Sequence, residues 1–249
     1  MKIPLCFLII AACSATVSAQ VVIGDELEIG PAGSNQVTNT WTTSYPAQMI
    51  PAKNSGAIGS GNQVRQSYSF AIGISNTIEE TTSMALGTWN IVGDDFPWGG
   101  RASLAVGTHN QIHSDDSLAV GYANYLAGSG YEFAGGEMSM LVGVYNQSGG
   151  VASLAVGRNN LIQGDDYDAT KVEASAVIGR GLITKWNHAL VVGQYNDSDI
   201  PQNSGLLFAV GNGAMSGPRS NAMEVYLDGR IKMPRQGDIL MGEFGNPGD

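Results

Sequence analysis

Acidic side chains gather in three segments of the chain, and carboxylates grouped in this way can carry out two sorts of chemistry. They are Asp94, Asp95, Glu132, Glu137, Asp165, Asp166 and Asp168. Two carboxylates across a cleft hydrolyse glycosidic bonds, and carboxylates combined with loop carbonyls bind Ca²⁺. No cleft-forming set recurs, and the spacing matches neither an EF-hand nor a nonapeptide calcium repeat. The pattern therefore predicts no catalytic residue and no metal site, and Ca²⁺ binding by these segments stays open as an alternative.

The remaining reactive side chains also form no catalytic or cofactor pattern. His109 and His113 lie four residues apart across a strand and a turn, which does not place them on a common face. We predict that they and His188 are surface residues and not metal ligands. The chain has no glycine-rich nucleotide loop, nucleophile elbow or cysteine cluster, so no cofactor is predicted. A net charge of -10 without clustered Lys and Arg argues against nucleic-acid binding.

Aromatic residues share the acidic segments and are the best candidates for a binding surface. They are Phe96, Trp98, Tyr131, Phe133 and Tyr167. Exposed rings along one edge suit a glycan or a protein partner. The alternative is that these rings fold back over the protein or pack between subunits.

The elements that must position these segments are repeats of one 14-residue unit. The clearest copy is Ser103-Leu104-Ala105-Val106-Gly107, and it returns fourteen residues later. The glycines that mark the copies are Gly59, Gly73, Gly87, Gly107, Gly121, Gly143, Gly157, Gly179, Gly193 and Gly211. Their spacings are 14, 14, 20, 14, 22, 14, 22, 14 and 18 residues. Such periodicity predicts an all-β solenoid of about ten coils, in which each coil packs on its neighbours.

Four columns of the unit have physical roles that follow from residue type. An aliphatic residue precedes every repeat glycine, usually after an alanine, and alternation in a strand sends these two to opposite faces. We predict that the aliphatic column points inward. A second apolar column lies five residues after the glycine: Val64, Ile78, Val92, Ile112, Leu126 and Ile162. Asparagines three residues after the glycine are predicted to stack as a ladder: Asn62, Asn76, Asn90, Asn110, Asn124, Asn146, Asn160 and Asn196.

The additional residues of the longer repeats all fall at one phase of the unit. They occupy residues 93–102, 127–138, 163–174 and 199–206, between the second apolar column and the next serine. We therefore predict that all four insertions project from the same corner of the solenoid.

The Ser-x-Ala-x-Gly unit at this period resembles the head repeats of trimeric autotransporter adhesins of the YadA type. The resemblance covers the chain from about Ser55 to Gly213. It implies a left-handed parallel β-roll that forms a homotrimer and binds host matrix or other surfaces. The chain departs from the family in having no heptad stalk and no C-terminal membrane-barrel segment.

The N-terminal residues have the pattern of an export signal. Lys2 gives a positive start, residues 3–12 are apolar but too few to span a bilayer, and Val17-Ser18-Ala19 supplies small residues before the predicted cut. An alternative cut resembles a lipoprotein signal and would leave Cys13 lipidated. We expect a secreted or cell-surface protein with no transmembrane segment in the mature chain. The predicted division is 1–19 signal peptide, 20–54 N-terminal cap, 55–215 repeat body and 216–249 hairpin and tail.

A different pattern follows the repeats and predicts a β-hairpin that caps the solenoid. A three-residue loop at residues 228–230 would place alternating apolar residues on one face, and the pattern favours it over a two-residue Asp-Gly turn. Those residues are Met223, Val225, Leu227, Ile231 and Met233.

These observations favour an exported bacterial surface or adhesion-type protein that is not an enzyme. It is expected to form a homotrimer and to bind a glycan, matrix or protein partner. Two alternatives are a polysaccharide-acting enzyme on a β-solenoid and a structural spacer or tail-fibre-like component.

Overall fold

The structure, a computed structural model, describes residues 54–93, 102–127, 138–163 and 172–233, and the backbone of five strands ahead of them. Those five are β1 (Ala19–Ile23), β2 (Glu26–Pro31), β3 (Gln36–Val37), β4 (Asn39–Thr40) and β5 (Met49–Ile50). β1 pairs antiparallel with β2, and β4 with β5. β2 and β3 add in parallel to the first two strands of the repeat body, so the N-terminal stretch continues both of its sheets.

Each repeat forms one coil with a long strand and, in the first eight coils, a short strand. The long strands are β6 (Ser55–Ser60), β8 (Phe70–Ile74), β10 (Met84–Thr88), β12 (Leu104–Thr108), β14 (Leu118–Tyr122), β16 (Met140–Val144), β18 (Leu154–Arg158), β20 (Ala176–Arg180), β22 (Leu190–Gln194) and β23 (Leu206–Asn212). The short strands are β7 (Gln63–Val64), β9 (Thr77–Ile78), β11 (Ile91–Val92), β13 (Gln111–Ile112), β15 (Tyr125–Leu126), β17 (Gln147–Ser148), β19 (Leu161–Ile162) and β21 (Ile183–Thr184). A 3₁₀-helix (Gln202–Ser204), β24 (Asn221–Tyr226) and β25 (Ile231–Lys232) complete the described elements.

The strands stack in two sheets that close the coil. All ten long strands lie in one 14-stranded sheet and all eight short strands in a 9-stranded sheet, with neighbours parallel in the repeat body. The register places each repeat glycine beside the next, as with Gly87 and Gly107. The prediction of an all-β solenoid with ten coils is confirmed, while its left-handed sense stays a prediction.

The core side of the long strands is opposite to the one predicted. Ala57, Ala71 and their equivalents are fully buried, whereas the aliphatic residues that follow them point outward, with Ile72 39% and Ile178 44% exposed. The predicted inward row was therefore wrong. Alanine lies inside because the second apolar column, which is buried as expected, already fills most of the narrow space between the two sheets.

Side-chain volumes within a coil support the explanation that the space between the two sheets is limited. In the two coils that have a short strand and an inward long-strand residue larger than alanine, the inward residue of the short strand is small and polar. Leu141 shares its coil with Ser148, and Val177 shares its coil with Thr184; all four are buried. Each coil thus keeps a similar core volume, as close packing requires.

The predicted asparagine ladder is present and is fully buried. The Asn110 side-chain amide donates to Asn90 Oδ1 and to the carbonyl oxygens of Val106 and Gly121, each at 3.0 Å. Its own Oδ1 accepts from the backbone N–H and the side-chain amide of Asn124, at 3.2 and 2.9 Å. One asparagine thus links three successive coils and satisfies carbonyls that the corner leaves free.

The ladder ends where the asparagine is missing from the repeat. Leu182 is buried in that position, and only its backbone N–H reaches back to Asn160 Oδ1, at 3.0 Å. Asn196 in the next coil instead exchanges two hydrogen bonds with the backbone of Ile183.

A second ladder, of buried serines, lies at the opposite corner of the first eight coils. The Ser103 hydroxyl accepts the N–H of Ser117 at 3.2 Å and donates to the carbonyl of Ser114 at 2.9 Å. We call this corner the serine corner, and the one after the repeat glycine the glycine corner.

The repeat glycines are required by the close approach of adjacent coils. At Gly107, φ is +118°, and a Cβ would lie 2.0 Å from the carbonyl oxygen of Gly121. From Gly59 to Gly193, every repeat glycine has such a contact, at 1.9–2.3 Å. A side chain at any of them would therefore force two coils apart.

The first three insertions leave the coils in register. The long strands on either side of each pair residue for residue, as with Met84 and Leu104, and the chain re-enters at the serine corner at Ala102, Met138 and Ala174. Their attachment at one corner is as predicted, and most of their own residues lie outside those described.

The fourth insertion, which is described, does not simply project from the corner as predicted. Ile200 packs against the core, and the carbonyl of Pro201 accepts the indole N–H of buried Trp186 at 3.0 Å. It folds over the coil because an apolar side chain and a buried donor both gain a partner there.

The C-terminal hairpin forms with a different register from the one predicted. Val225 pairs with Ile231, and the N–H of Tyr226 donates to the carbonyl of Arg230, so the loop is residues 227–229. This register puts Gly229, with φ +86°, at the last loop position, where a three-residue hairpin needs a left-handed residue. Leu227 consequently lies in the loop and not on the apolar face.

A buried polar cluster closes the core beneath this hairpin. The Tyr226 hydroxyl donates to the Glu224 carboxylate at 2.5 Å, and the Asn221 side-chain amide donates to its other oxygen at 2.9 Å. Burial raises the pKa of Tyr226 to about 12, and the Glu224 carboxylate acts in the same direction.

Candidate functional site

One surface of the long-strand sheet is apolar along the whole repeat body. We define the outer apolar face as the residues three and one before each repeat glycine, from the second coil onward. They are Phe70, Ile72, Met84, Leu86, Leu104, Val106, Leu118, Val120, Met140, Val142, Leu154, Val156, Ala176, Ile178, Leu190, Val192, Phe208 and Val210. The most exposed of these side chains have 37–44% of their surface accessible.

The hairpin extends the outer apolar face past the last coil. Val225 lies beside Phe208 and Met223 beside Val210, and Ile231 continues the row. None of these positions carries a charge. With one strand every 4.8 Å, the face is about 40 Å long, and an uncharged apolar surface of that extent marks an interaction site.

A second exposed feature runs along the glycine corner. We define the glycine-corner ridge as the aromatic and arginine side chains at the first two positions after the repeat glycines, together with one arginine from the segment after the last coil. They are Trp89, His109, Tyr122, Tyr145, Arg158, Arg180, Tyr195 and Arg219. Trp89, His109 and Tyr145 have φ of 56–57°, which turns their side chains out of the coil.

The aromatic half of the ridge is a continuous row of rings. Trp89 and His109 are nearly parallel, 4° apart, with their centroids 6.0 Å apart. His109 meets Tyr122 edge-on at 5.8 Å, and Tyr122 meets Tyr145 edge-on at 5.3 Å. The hydrogen bond with Tyr122 raises the pKa of Tyr145, and the Arg158 guanidinium acts in the opposite direction.

The other half of the ridge is basic. Arg158 and Arg180 are direct register partners on adjacent strands, and both are exposed. Arg180 and Arg219 each lie 5.9 Å from the centre of the Tyr195 ring, and Arg219 donates to the carbonyl of Gly181 at 2.7 Å. None of the three arginines forms an ion pair with a carboxylate in the described parts of the chain.

Acidic residues are absent from the coil positions that form this ridge, although Asp197 follows Asn196, whose carbonyl accepts from Arg219 at 3.4 Å. In the described coils, the two positions after each repeat glycine contain no Asp or Glu. Five described carboxylates lie instead toward the serine corner: Glu79, Glu80, Asp115, Asp116 and Glu173. The two corners of the coil therefore differ in charge, although the chain as a whole is acidic.

The structure places the predicted site residues as follows. Phe96, Trp98, Tyr131, Phe133 and Tyr167 lie outside the described residues, as do the seven acidic residues of the same segments. His109 is part of the ridge, whereas His113 directly follows β13 with its ring centroid 5.5 Å from that of Tyr125, and His188 is exposed at the serine corner. The sequence pattern does not indicate the ridge, because its members on the coils lie either one or two residues after the repeat glycine and so form no single column.

Comparison with models of protein families, with curated proteins and with solved structures yields no match for this chain. The resemblance to YadA-type heads rests on the repeat motif and stays a prediction. Within the described residues, no helix has the length and apolar character needed to cross a bilayer. In the same residues, His, Cys, Asp and Glu side chains do not come together in groups of three that could ligate a metal.

Proposed function

We propose that this chain is an exported, non-catalytic surface or adhesion-type module of a bacterium. It assembles as a homotrimer through the outer apolar face and binds a glycan, matrix or protein partner with the corners of its coils. The observation that carries the proposal is the uncharged apolar surface on the outside of a solenoid whose core is already closed without it.

The outer apolar face favours another copy of the chain as its occupant. Its two columns run in register for nine strands, so two copies aligned along the axis can meet column against column. Burying such a surface contributes about 25 cal/mol per Å². A closed cyclic trimer would bring all three faces to the axis and leave the glycine and serine corners outside. This arrangement also agrees with the assembly that the YadA resemblance implies.

The insertions at the serine corner are a second predicted binding surface of this module, in addition to the glycine-corner ridge. Phe96 and Trp98 are the aromatic residues whose removal should weaken surface binding without unfolding the coils. The long strands before and after their segment, β10 and β12, pair without any shift in register, so its side chains can be changed while the ladders are kept.

A pair of substitutions tests the proposed function. Val142→Asp places a carboxylate in the middle of the outer apolar face, and Gln111→Asp places one on the outside of the short-strand sheet. Both variants should keep the circular dichroism of the solenoid. We expect only Val142→Asp to become monomeric and to lose about 100-fold or more in binding to glycan and matrix-protein arrays, because avidity is lost.

Three results would contradict the proposal. If Val142→Asp keeps both its oligomeric mass and its binding, the outer apolar face is not the assembly surface. If the wild-type protein binds nothing on such arrays, the structural-spacer alternative is correct instead. If it releases sugars from a polysaccharide, the enzyme alternative is correct.

A further inference from the structure

We propose that the glycine-corner ridge binds an acidic polysaccharide laid along the axis of the solenoid. Its aromatic half stacks against sugar rings, and its arginine half pairs with carboxylate or sulfate groups. This inference rests on the proposed function, since it names the ligand class and the site of the same surface module.

The aromatic half is a row of rings along the axis that stays open to solvent. Neighbouring ring centroids are 5.3–6.0 Å apart, and Trp89, Tyr122 and Tyr145 have 55%, 41% and 46% of their surface accessible. The C–H face of a pyranose packs on an aromatic ring, and the row offers one ring for each coil from Trp89 to Tyr145. The backbone that carries them is fixed by the buried asparagine ladder directly behind it, so little conformational entropy is lost on binding.

The arginine half supplies the charge that an acidic sugar needs. Arg158 and Arg180 are side by side on adjacent strands, where like charges repel in the absence of an anion. Arg219 approaches the same Tyr195 ring as Arg180 and donates to the carbonyl of Gly181. Guanidinium groups form paired hydrogen bonds with carboxylate and sulfate oxygens, so this group of three can recognise a chain bearing regular anionic groups.

The two halves form one continuous surface. Tyr145 and Arg158 belong to successive coils, and the Arg158 charge reaches the Tyr145 hydroxyl. From Trp89 to Tyr195 the ridge spans seven coils, about 30 Å, which is the length of a short oligosaccharide. With the acidic residues on the serine corner, the field of the coil directs an anionic chain toward the glycine corner.

The same distribution disfavours a nucleic acid. A nucleic-acid strand carries a phosphate on every nucleotide and needs cations along its whole contact length. The half of the ridge from Trp89 to Tyr145 contains no Lys or Arg, so phosphates there would find no partner. A polysaccharide with some uncharged faces and some acidic groups fits both halves.

The experiment uses the full chain and three probes in a binding assay: heparin, polygalacturonate and single-stranded DNA of matched charge. Arg158→Gln with Arg180→Gln removes the paired charges, and Lys185→Gln with Lys232→Gln is the control with the same change in net charge. We expect the arginine variant to lose about tenfold or more in affinity for heparin or polygalacturonate, and the lysine variant less than about twofold. The salt dependence of binding should fall only in the arginine variant.

The aromatic half is tested by Trp89→Asn with Tyr145→Asn, because asparagine tolerates the positive φ of both positions and already occupies Asn159 in the same column. We expect this variant to lose affinity for the acidic polysaccharide at every salt concentration. The mass of each variant in solution separates failure of the ridge from failure of assembly. Unchanged affinity in both variants with the oligomer intact overturns the ridge but leaves the proposed function standing. Tighter binding of the single-stranded DNA would overturn the polysaccharide as the ligand.

Discussion

The substitution Gly107→Ala should destabilise the solenoid far more than an alanine at another glycine with positive φ. A Cβ at Gly107 would lie 2.0 Å from the carbonyl oxygen of Gly121, whereas ordinary contact begins near 3.4 Å. The two coils must therefore separate by more than an ångström. Gly229 is the matched control, because its φ is +86° but a Cβ there meets nothing within 4 Å.

The expected magnitudes follow from these two geometries. Placing alanine in the left-handed region costs about 1–2 kcal/mol, which both variants share. Separating the coils at Gly107 also weakens the bonds from Asn110 to Gly121 and from Asn124 to Asn110, each contributing about 1 kcal/mol. The clash therefore brings the total for Gly107→Ala to about 4 kcal/mol or more. For a chain of this length, that lowers Tm by about 10 °C.

Thermal unfolding followed by circular dichroism measures both variants against the wild type. We expect Gly229→Ala to melt within about 4 °C of the wild type and Gly107→Ala to melt about 10 °C lower. If the two variants have the same Tm, the close approach of adjacent coils does not limit this column to glycine, and the reasoning is refuted.

Three further predictions concern the interior. Asn110→Ala should cost about 3–4 kcal/mol in urea unfolding, because several buried hydrogen-bonding groups lose their partner, while Asn187→Ala, at an exposed asparagine with one hydrogen bond, should cost less than about 1 kcal/mol. Thr184→Val should stabilise the protein by about 1 kcal/mol, because the buried Thr184 hydroxyl has no hydrogen-bond partner among the described residues; Thr108→Val, on the outside of the sheet, should be neutral. The raised pKa of Tyr226 favours its neutral form in the folded state, so this contribution to stability is complete below pH 10 and is lost as the pH rises toward 12; Tyr226→Phe should abolish that part of the pH dependence of Tm.

Each of these predictions has an outcome that contradicts it. Equal losses for the two asparagine variants would mean that the ladder adds nothing to the stability. A destabilised Thr184→Val would mean that the hydroxyl has a partner in solution. A pH profile that is the same for the wild type and Tyr226→Phe would mean that this hydroxyl ionises equally readily in the folded and unfolded chain.

The repeat glycines and asparagines were predictable because each needs a backbone or hydrogen-bond environment that few residue types tolerate. The carbonyl oxygen of Gly121 lies where a Cβ of residue 107 would be, so only glycine fits there. Asn110 has to donate a hydrogen bond to the asparagine of one neighbouring coil and accept one from the asparagine of the other, so both columns carry a strong sequence signal. Ten copies of the unit at a fixed phase then predict a solenoid and exclude most other folds. The serine ladder follows the same logic, although the sequence does not indicate which groups the hydroxyls bond.

The inward side of the long strands was harder, because alanine and valine are both apolar. Hydrophobicity alone predicts that the larger residue points inward. In the structure the coil is too narrow for it, so valine points outward and alanine inward. The pair of Leu141 and Ser148 is the sequence signal that shows which residue points inward. A larger residue in the alanine column is matched by a smaller residue in the second apolar column of the same coil, so the two columns share the core volume. The ridge was missed for a related reason: Tyr122 and Tyr145 sit at different positions of the repeat and meet only because one lies on a strand and the other at the corner.

The mass of the protein in solution, measured by light scattering after size exclusion, tests the central claim most directly. If copies of the chain cover the outer apolar face, the wild type should have about three times the mass of one chain of 26.0 kDa, corrected for any removed signal. The Val142→Asp variant should then return to the mass of one chain with its strand content unchanged. A wild-type protein that is monomeric at every concentration, with the apolar face open to water, would contradict the account.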